Sequence, residues 1–239
     1  MEPDDGTAAP LGGFFALRTA PPPAGGDHRP LARLYAGDDA PLRARVDLVA
    51  GRLGTSERRV AASVAHLGLA ARLWSTALGP AVLYGRFPAL DPADLHWDGA
   101  PSAPDDLWWA GRDTRPATVA ALREAVQEAH LVPLHAALAR DGRISSRLLW
   151  GNAGSALAGA LRELTRRARA HGDARAADRA AALVRGLLDH PDLARTLSGP
   201  ALRRTTCCLY YRGPSGGLCG DCVFDHPPRT GLERRPPAP

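Results

Sequence analysis

Apolar positions recur at spacings of three and four through most of the chain, so it reads as largely helical. Over 42–53, Val46, Val49 and Leu53 share a face. From 56 the run SERRVAASVAHLGLAARLWSTAL sets Val60, Val64, Leu67, Ala71, Trp74 and Leu78 in one stripe, with Ser56 placed to cap it. Gly79-Pro80 is expected to end or kink that helix, leaving 80–90 as a further helix or a turn-rich cover. Helical spacing resumes over 116–140, opened by Pro116, and Pro133 should kink or split it. Two more helices are predicted over 144–170 and 174–188. Gly151, Gly154 and Gly159 fall inside the first of these. Each would cost about 1 kcal/mol in an exposed helix interior. They therefore point to close packing, a bend, or backbone kept clear for a ligand. DLHW and DLWW read as two strands of a small hairpin around 99–104. LGGFFALRT (11–19) reads as a short strand or apolar cover, and 21–30 as a loop. The fold class is mainly α: a bundle-like helical body of five or six helices with a small β hairpin, followed by a small C-terminal module.

Composition narrows the function classes. No run of 18 apolar residues exists in the 239, so no ordinary transmembrane helix is expected. All 30 basic residues are arginine, against 25 acids, for a net charge of +5. That balance allows nucleic acid, an anionic membrane surface or an anionic ligand, and selects none. The arginines are dispersed and no zinc-finger spacing occurs, so no nucleic-acid partner is expected. The acidic start MEPDDGTAAPLGGFF lacks the basic and apolar regions of a signal peptide, which suggests a cytoplasmic setting.

All four cysteines lie between Cys207 and Cys222, as CC-x10-C-x2-C. In a reducing compartment such a group is better read as metal ligands or redox thiols than as disulfides. LYYR (209–212) is expected to form a short strand and GPSGG (213–217) a turn, which would fold Cys219 and Cys222 back beside Cys207 and Cys208. Successive strand residues point to opposite faces, so the backbone must bend at the adjacent pair for both to reach one group. Zinc, a [2Fe-2S] cluster and thiol chemistry all stay open on these residues alone.

The segment CCLYYRGPSGGLCGDC resembles the C-terminal signature of the FhuF-type ferric siderophore reductases. ARLWSTALGPAVLYG (71–85) and SRLLWGNAGSALAGALR (146–162) are similar to that family's body segments. The resemblance covers roughly 40–224. It implies that Cys207, Cys208, Cys219 and Cys222 hold one [2Fe-2S] cluster. It also implies one-electron reduction of Fe(III) in siderophores of the hydroxamate type as the activity. The division that follows is a flexible segment 1–29, a helical substrate or docking domain 30–200, a [2Fe-2S] module 201–227 and a disordered tail 228–239.

GNAGSALAG (151–159) lacks the dinucleotide fingerprint, so no bound NAD(P)H or flavin is expected. Electrons would then come from an external donor: a ferredoxin, a flavin reductase or a small reductant. Contact with the inner face of the membrane would have to be peripheral. Alternatives are an iron–sulfur carrier or sensor without reductase activity, and a zinc-stabilised binding module.

Other residues complete the expectation. Arg203, Arg204 and Arg212 flank the cysteines and either offset thiolate charge, meet a redox partner or serve solubility. Tyr210 and Tyr211 are strand core or docking face. Trp150, Asn152 and Ser155 line a siderophore pocket or a tight helix crossing. One of Trp108 and Trp109 is available to a ligand or both are core. Asp221 and Asp225 are turn or cap residues, His226 lies near the cluster without ligating, and the remaining histidines show no metal-ligand spacing.

Overall fold

The computed structural model describes residues 11–19, 26–214 and 216–228. Most of the expected tail, and of the expected flexible N-terminal segment, lies outside these. The long helix α3 (Arg58–Tyr84) is the axis of the molecule. Around it pack α2 (Ala40–Leu53), α6 (Ser146–Ala170) and α7 (Ala174–Leu188). A short α1 (Leu31–Tyr35) and α4 (Val119–Leu122) complete the body with α5 (Val132–Asp141). No helix among the described residues is long and apolar enough to cross a membrane.

Helix α3 does not stop at Gly79-Pro80 as local rules suggest. It runs through Pro80 to Tyr84 and ends on Gly85, whose φ of 70° closes the C-terminus. Proline costs a helix interior about 3 kcal/mol. Here every residue from Leu73 to Val82 is buried, and that packing outweighs the cost. Gly79 contributes because a Cβ there would lie 2.9 Å from the Phe15 ring. The segment 11–19 is therefore core cover, with Leu11, Phe15 and Leu17 buried around a 3₁₀ turn at Gly13–Phe15.

Other boundaries also move. Glu57, not Ser56, occupies the cap position of α3, and it caps nothing with its side chain. Pro116 closes a strand; Thr118 caps α4, accepting from the Ala121 N–H at 3.1 Å. Ahead of Pro133 the chain winds as a π-helix over Arg123–Leu131 before α5 begins.

The expected hairpin is present. Strand β3 (Leu95–Trp97) pairs antiparallel with β4 (Leu107–Trp109), placing Trp97 opposite Leu107 and Leu95 opposite Trp109. Strand β1 (Arg29–Pro30) adds a third member, and β2 (Arg86–Pro88) pairs separately with β5 (Thr114–Pro116). Trp97 and Trp109 turn inward, while Trp108 is half-buried against the His28 ring. A last two-stranded ladder, β6 (Leu197–Ser198) with β7 (Arg203–Arg204), leads into the cysteine segment.

Candidate metal centre

The cysteine segment lies across α3 and α6. Two glycines make this possible. A Cβ on Gly151 would sit 1.9 Å from Thr206 Oγ1, and one on Gly154 would sit 2.2 Å from Thr196 Oγ1. These glycines serve close packing of the module on α6. Gly159 differs, since its added Cβ meets only Arg162 Nη2, at 3.9 Å. Gly151→Ala is expected to lower unfolding stability by about 1–3 kcal/mol through overpacking. Thr206→Ala, whose hydroxyl has no partner among the described residues, should cost little alone and recover much of that loss in the double variant. Urea titration of the four chains checks this.

The backbone does bend at the adjacent cysteines. Leu209 follows Cys208 with φ 67°, and a 3₁₀ turn at Tyr210–Arg212 replaces the expected strand. Tyr210 and Tyr211 are accordingly half-buried turn residues, not strand core, and Tyr211 meets the Phe224 ring edge-on at 5.8 Å. At Gly216 a Cβ would strike the Tyr210 carbonyl at 1.9 Å, so the return of the chain needs glycine there.

Two of the thiols lie inside and two near solvent: Cys208 and Cys222 are buried, Cys207 and Cys219 half-buried. The Cys219 thiol donates to Cys208. That bond, with the Tyr210 N–H and the Arg204 charge, brings Cys208 down to about 6 against its burial, and the same bond raises Cys219. Burial raises Cys207, opposed by the Leu209 N–H, which donates to its sulfur at 3.2 Å. Cys207 also feels the charges of Cys208 and Cys222. The Phe224 N–H reaches Cys222 Sγ at 3.5 Å. Among the described residues no three His, Cys, Asp or Glu side chains converge as a single ion requires.

The flanking arginines divide. Arg212 pairs with Glu57 at 2.8 Å, pinning the module to the start of α3. Arg203 grips the Cys222 carbonyl at 2.7 Å and Asp225 at 2.8 Å. Asp221, between Cys219 and Cys222, accepts from Ser155 on α6 at 2.7 Å. Both aspartates thus tie the loop down. Arg204 is fully buried, donating to the Thr206 carbonyl at 3.0 Å and to Asn152 Oδ1, while its Nη1 has no partner among the described residues. Asn152 in turn donates to the Ser63 carbonyl at 2.9 Å, and the Ser63 hydroxyl donates to the Cys208 carbonyl at 2.7 Å. Asn152 is wholly buried and closed to a docked ligand, which corrects the docking expectation for it. A buried guanidinium with no carboxylate partner among the described residues, its charge acting on Cys207, Cys208 and Cys219, suits a donor set that carries negative charge. The residues present therefore fit an all-sulfur, anionic cofactor.

Trp150 is half-buried and meets the His135 ring edge to face, with 4.4 Å between ring centroids. His226 is exposed. Sequence spacing missed a pair that the fold creates: His66 and His135 stand Nε2 to Nε2 at 3.0 Å. Burial keeps both neutral, lowering His135 to about 4 and His66 well below its usual value.

A family model described as ferric iron reductase FhuF-like transporter matches residues 81–207. The chain belongs to this FhuF-like family. A second model, the FhuF 2Fe-2S C-terminal domain, matches residues 204–224 and spans all four cysteines. No curated protein matches the chain. The FhuF-like module is therefore a [2Fe-2S] domain attached to a helical body, and ferric iron reduction is the chemistry of its family. Both matches meet in the stretch that holds Arg204 and Cys207.

Proposed function

We propose that the protein reduces Fe(III) held in hydroxamate siderophores, with Cys207, Cys208, Cys219 and Cys222 holding the cluster. One electron at a time is what a [2Fe-2S] cluster supplies when bound. The observation that carries the proposal is the placement of the cysteine loop beside a cleft. A cleft of about 470 Å³ opens between α3, α6 and the 12–15 turn, lined by Leu67, Ala71, Ser155, Ala156 and Gly159. Ser155 belongs to both, since its hydroxyl bonds Asp221 between two cysteines. Glu163 and Arg167 add one acid and one base to the lining, and the rest is mainly apolar. Three hydroxamates neutralise Fe(III), so the chelate is uncharged at the metal and carbon-rich outside. Such a ligand suits this lining better than a trianionic catecholate would.

The substrate Fe(III) accepts one electron and becomes Fe(II). Hard anionic oxygens hold Fe(II) far more weakly, so iron leaves without any bond of the siderophore being broken. An external donor, a ferredoxin, a flavin reductase or a small reductant, gives up one electron per turnover. Cys207 and Cys219, on the solvent side, leave a short path for both exchanges. The reaction belongs in a reducing cytoplasm, where four free thiols persist. Any contact with the inner membrane is peripheral.

The test uses anaerobically purified, dithionite-reduced protein mixed with a ferric trihydroxamate, with Fe(II) trapped by a coloured chelator. Stoichiometric Fe(II) is expected. Gly159→Leu, which projects into the cleft, should raise KM at least tenfold with iron and sulfide content unchanged. Reduced protein that yields no Fe(II) would favour an electron carrier or sensor instead. An unchanged KM in Gly159→Leu would move the docking site off the cleft.

A further inference from the structure

Only one other arginine among the described residues is as deeply buried as Arg204, and it meets a carboxylate: Arg72 with Asp106 at 2.8 Å. Arg204 does not. It is 1% exposed, and its contacts among the described residues are neutral: the Thr206 carbonyl and the Asn152 amide. The amide cannot turn to offer something else, because Nδ2 is committed to the Ser63 carbonyl at 2.9 Å and the Ser63 hydroxyl at 3.0 Å. The Arg204 backbone is fixed as well, its N–H donating to the Asp221 carbonyl at 2.9 Å. A guanidinium is thus locked in the interior, its Nη1 without a partner among the described residues. A buried charge with no counter-charge costs several kcal/mol. A fold keeps one when something of opposite sign completes the site.

We propose that Arg204 is the internal counter-ion of the cluster, and that its charge raises the cluster's reduction potential. This rests on the reading that the four cysteines hold a [2Fe-2S] group. A cluster with four thiolate ligands is net negative in both states and gains one further negative charge on reduction. A fixed cation nearby therefore stabilises the reduced state more than the oxidised one. Arg204 is held at the cysteine loop itself, donating at 3.0 Å to the Thr206 carbonyl on the peptide bond that leads into Cys207. Arg203 and Arg212 already have acidic partners and are expected to contribute less. Arg204 is a positioning residue in this account: it touches no substrate, and acts through the cluster.

Iron and acid-labile sulfide are measured first, on anaerobic native protein; about two of each per chain is the condition on which the proposal rests. The midpoint is then measured by dye-mediated titration followed by visible absorption. In Arg204→Met the ratio of reduced to oxidised cluster at a fixed potential should fall at least tenfold, about 59 mV for a one-electron couple. Arg204→Lys, which keeps the charge, should stay closer to native. Asn152→Asp supplies a carboxylate where Arg204 now meets an amide, and should also lower the midpoint. A loaded Arg204→Met chain with the native midpoint overturns the proposal and leaves the cluster reading standing. If Arg204→Met does not retain iron, the Asn152→Asp midpoint decides, and an unchanged value overturns the proposal. Native protein without sulfide overturns the cluster reading itself.

Discussion

Cys208→Ser is expected to abolish the chromophore. The native chain, made without oxygen, should carry about two irons and two sulfides, and the variant close to none after desalting. Cys208 is the critical choice because it is buried, accepts from Cys219 and shares its carbonyl with Ser63. Serine puts a harder, less polarizable oxygen at a position that soft iron–sulfur chemistry fills with thiolate. Far-UV ellipticity should hardly change, since the packing of α3 on α6 and α2 does not use the cysteine. A variant that keeps full iron and sulfide would remove Cys208 from the ligand set. Stoichiometric zinc without sulfide in the native chain would remove the redox function altogether.

The largest stability effect is expected at Asp106. Arg72, 1% exposed, donates to Asp106 at 2.8 Å and reaches the carbonyls of Gly13, Phe14 and Pro104. This one side chain joins α3 to the N-terminal cover and to the loop before β4. Asp106→Ala leaves the guanidinium buried without its counter-charge, and should cost about 3–5 kcal/mol. The double variant Arg72→Met, Asp106→Leu should cost less than Asp106→Ala alone, because both charges leave together. Urea titrations give the comparison. A loss under about 1 kcal/mol in Asp106→Ala would mean that the three carbonyls satisfy Arg72 unaided.

The helices with regular spacing were legible from the chain. Residues 174–188 form α7 with the expected ends, because an amphipathic stripe bounded by Asp173 and a nearby proline leaves few alternatives. The return of Cys219 to Cys208 and of Cys222 to Cys207 was legible too, from one short loop with a glycine-rich turn. Local rules failed where tertiary burial opposed them. Pro80 lies inside α3 because its neighbours are core, and LYYR is a turn because Leu209 takes positive φ. The Arg204–Asn152–Ser63 chain had no signal at all. Its members lie 52 and 89 positions apart, and only the crossing of α3 by α6 brings them together. His66 and His135 meet for the same reason.

The order of the chain has a consequence for how the protein is made. The surface that receives the cysteine loop comes from α3 and α6, and both are complete by residue 170. Cys207 follows 37 residues later. Ribosomes add about 5–20 residues per second, so the receiving helices exist seconds before the first thiol does. The thiols thus arrive at a platform already built, and iron can be loaded as the last act of assembly.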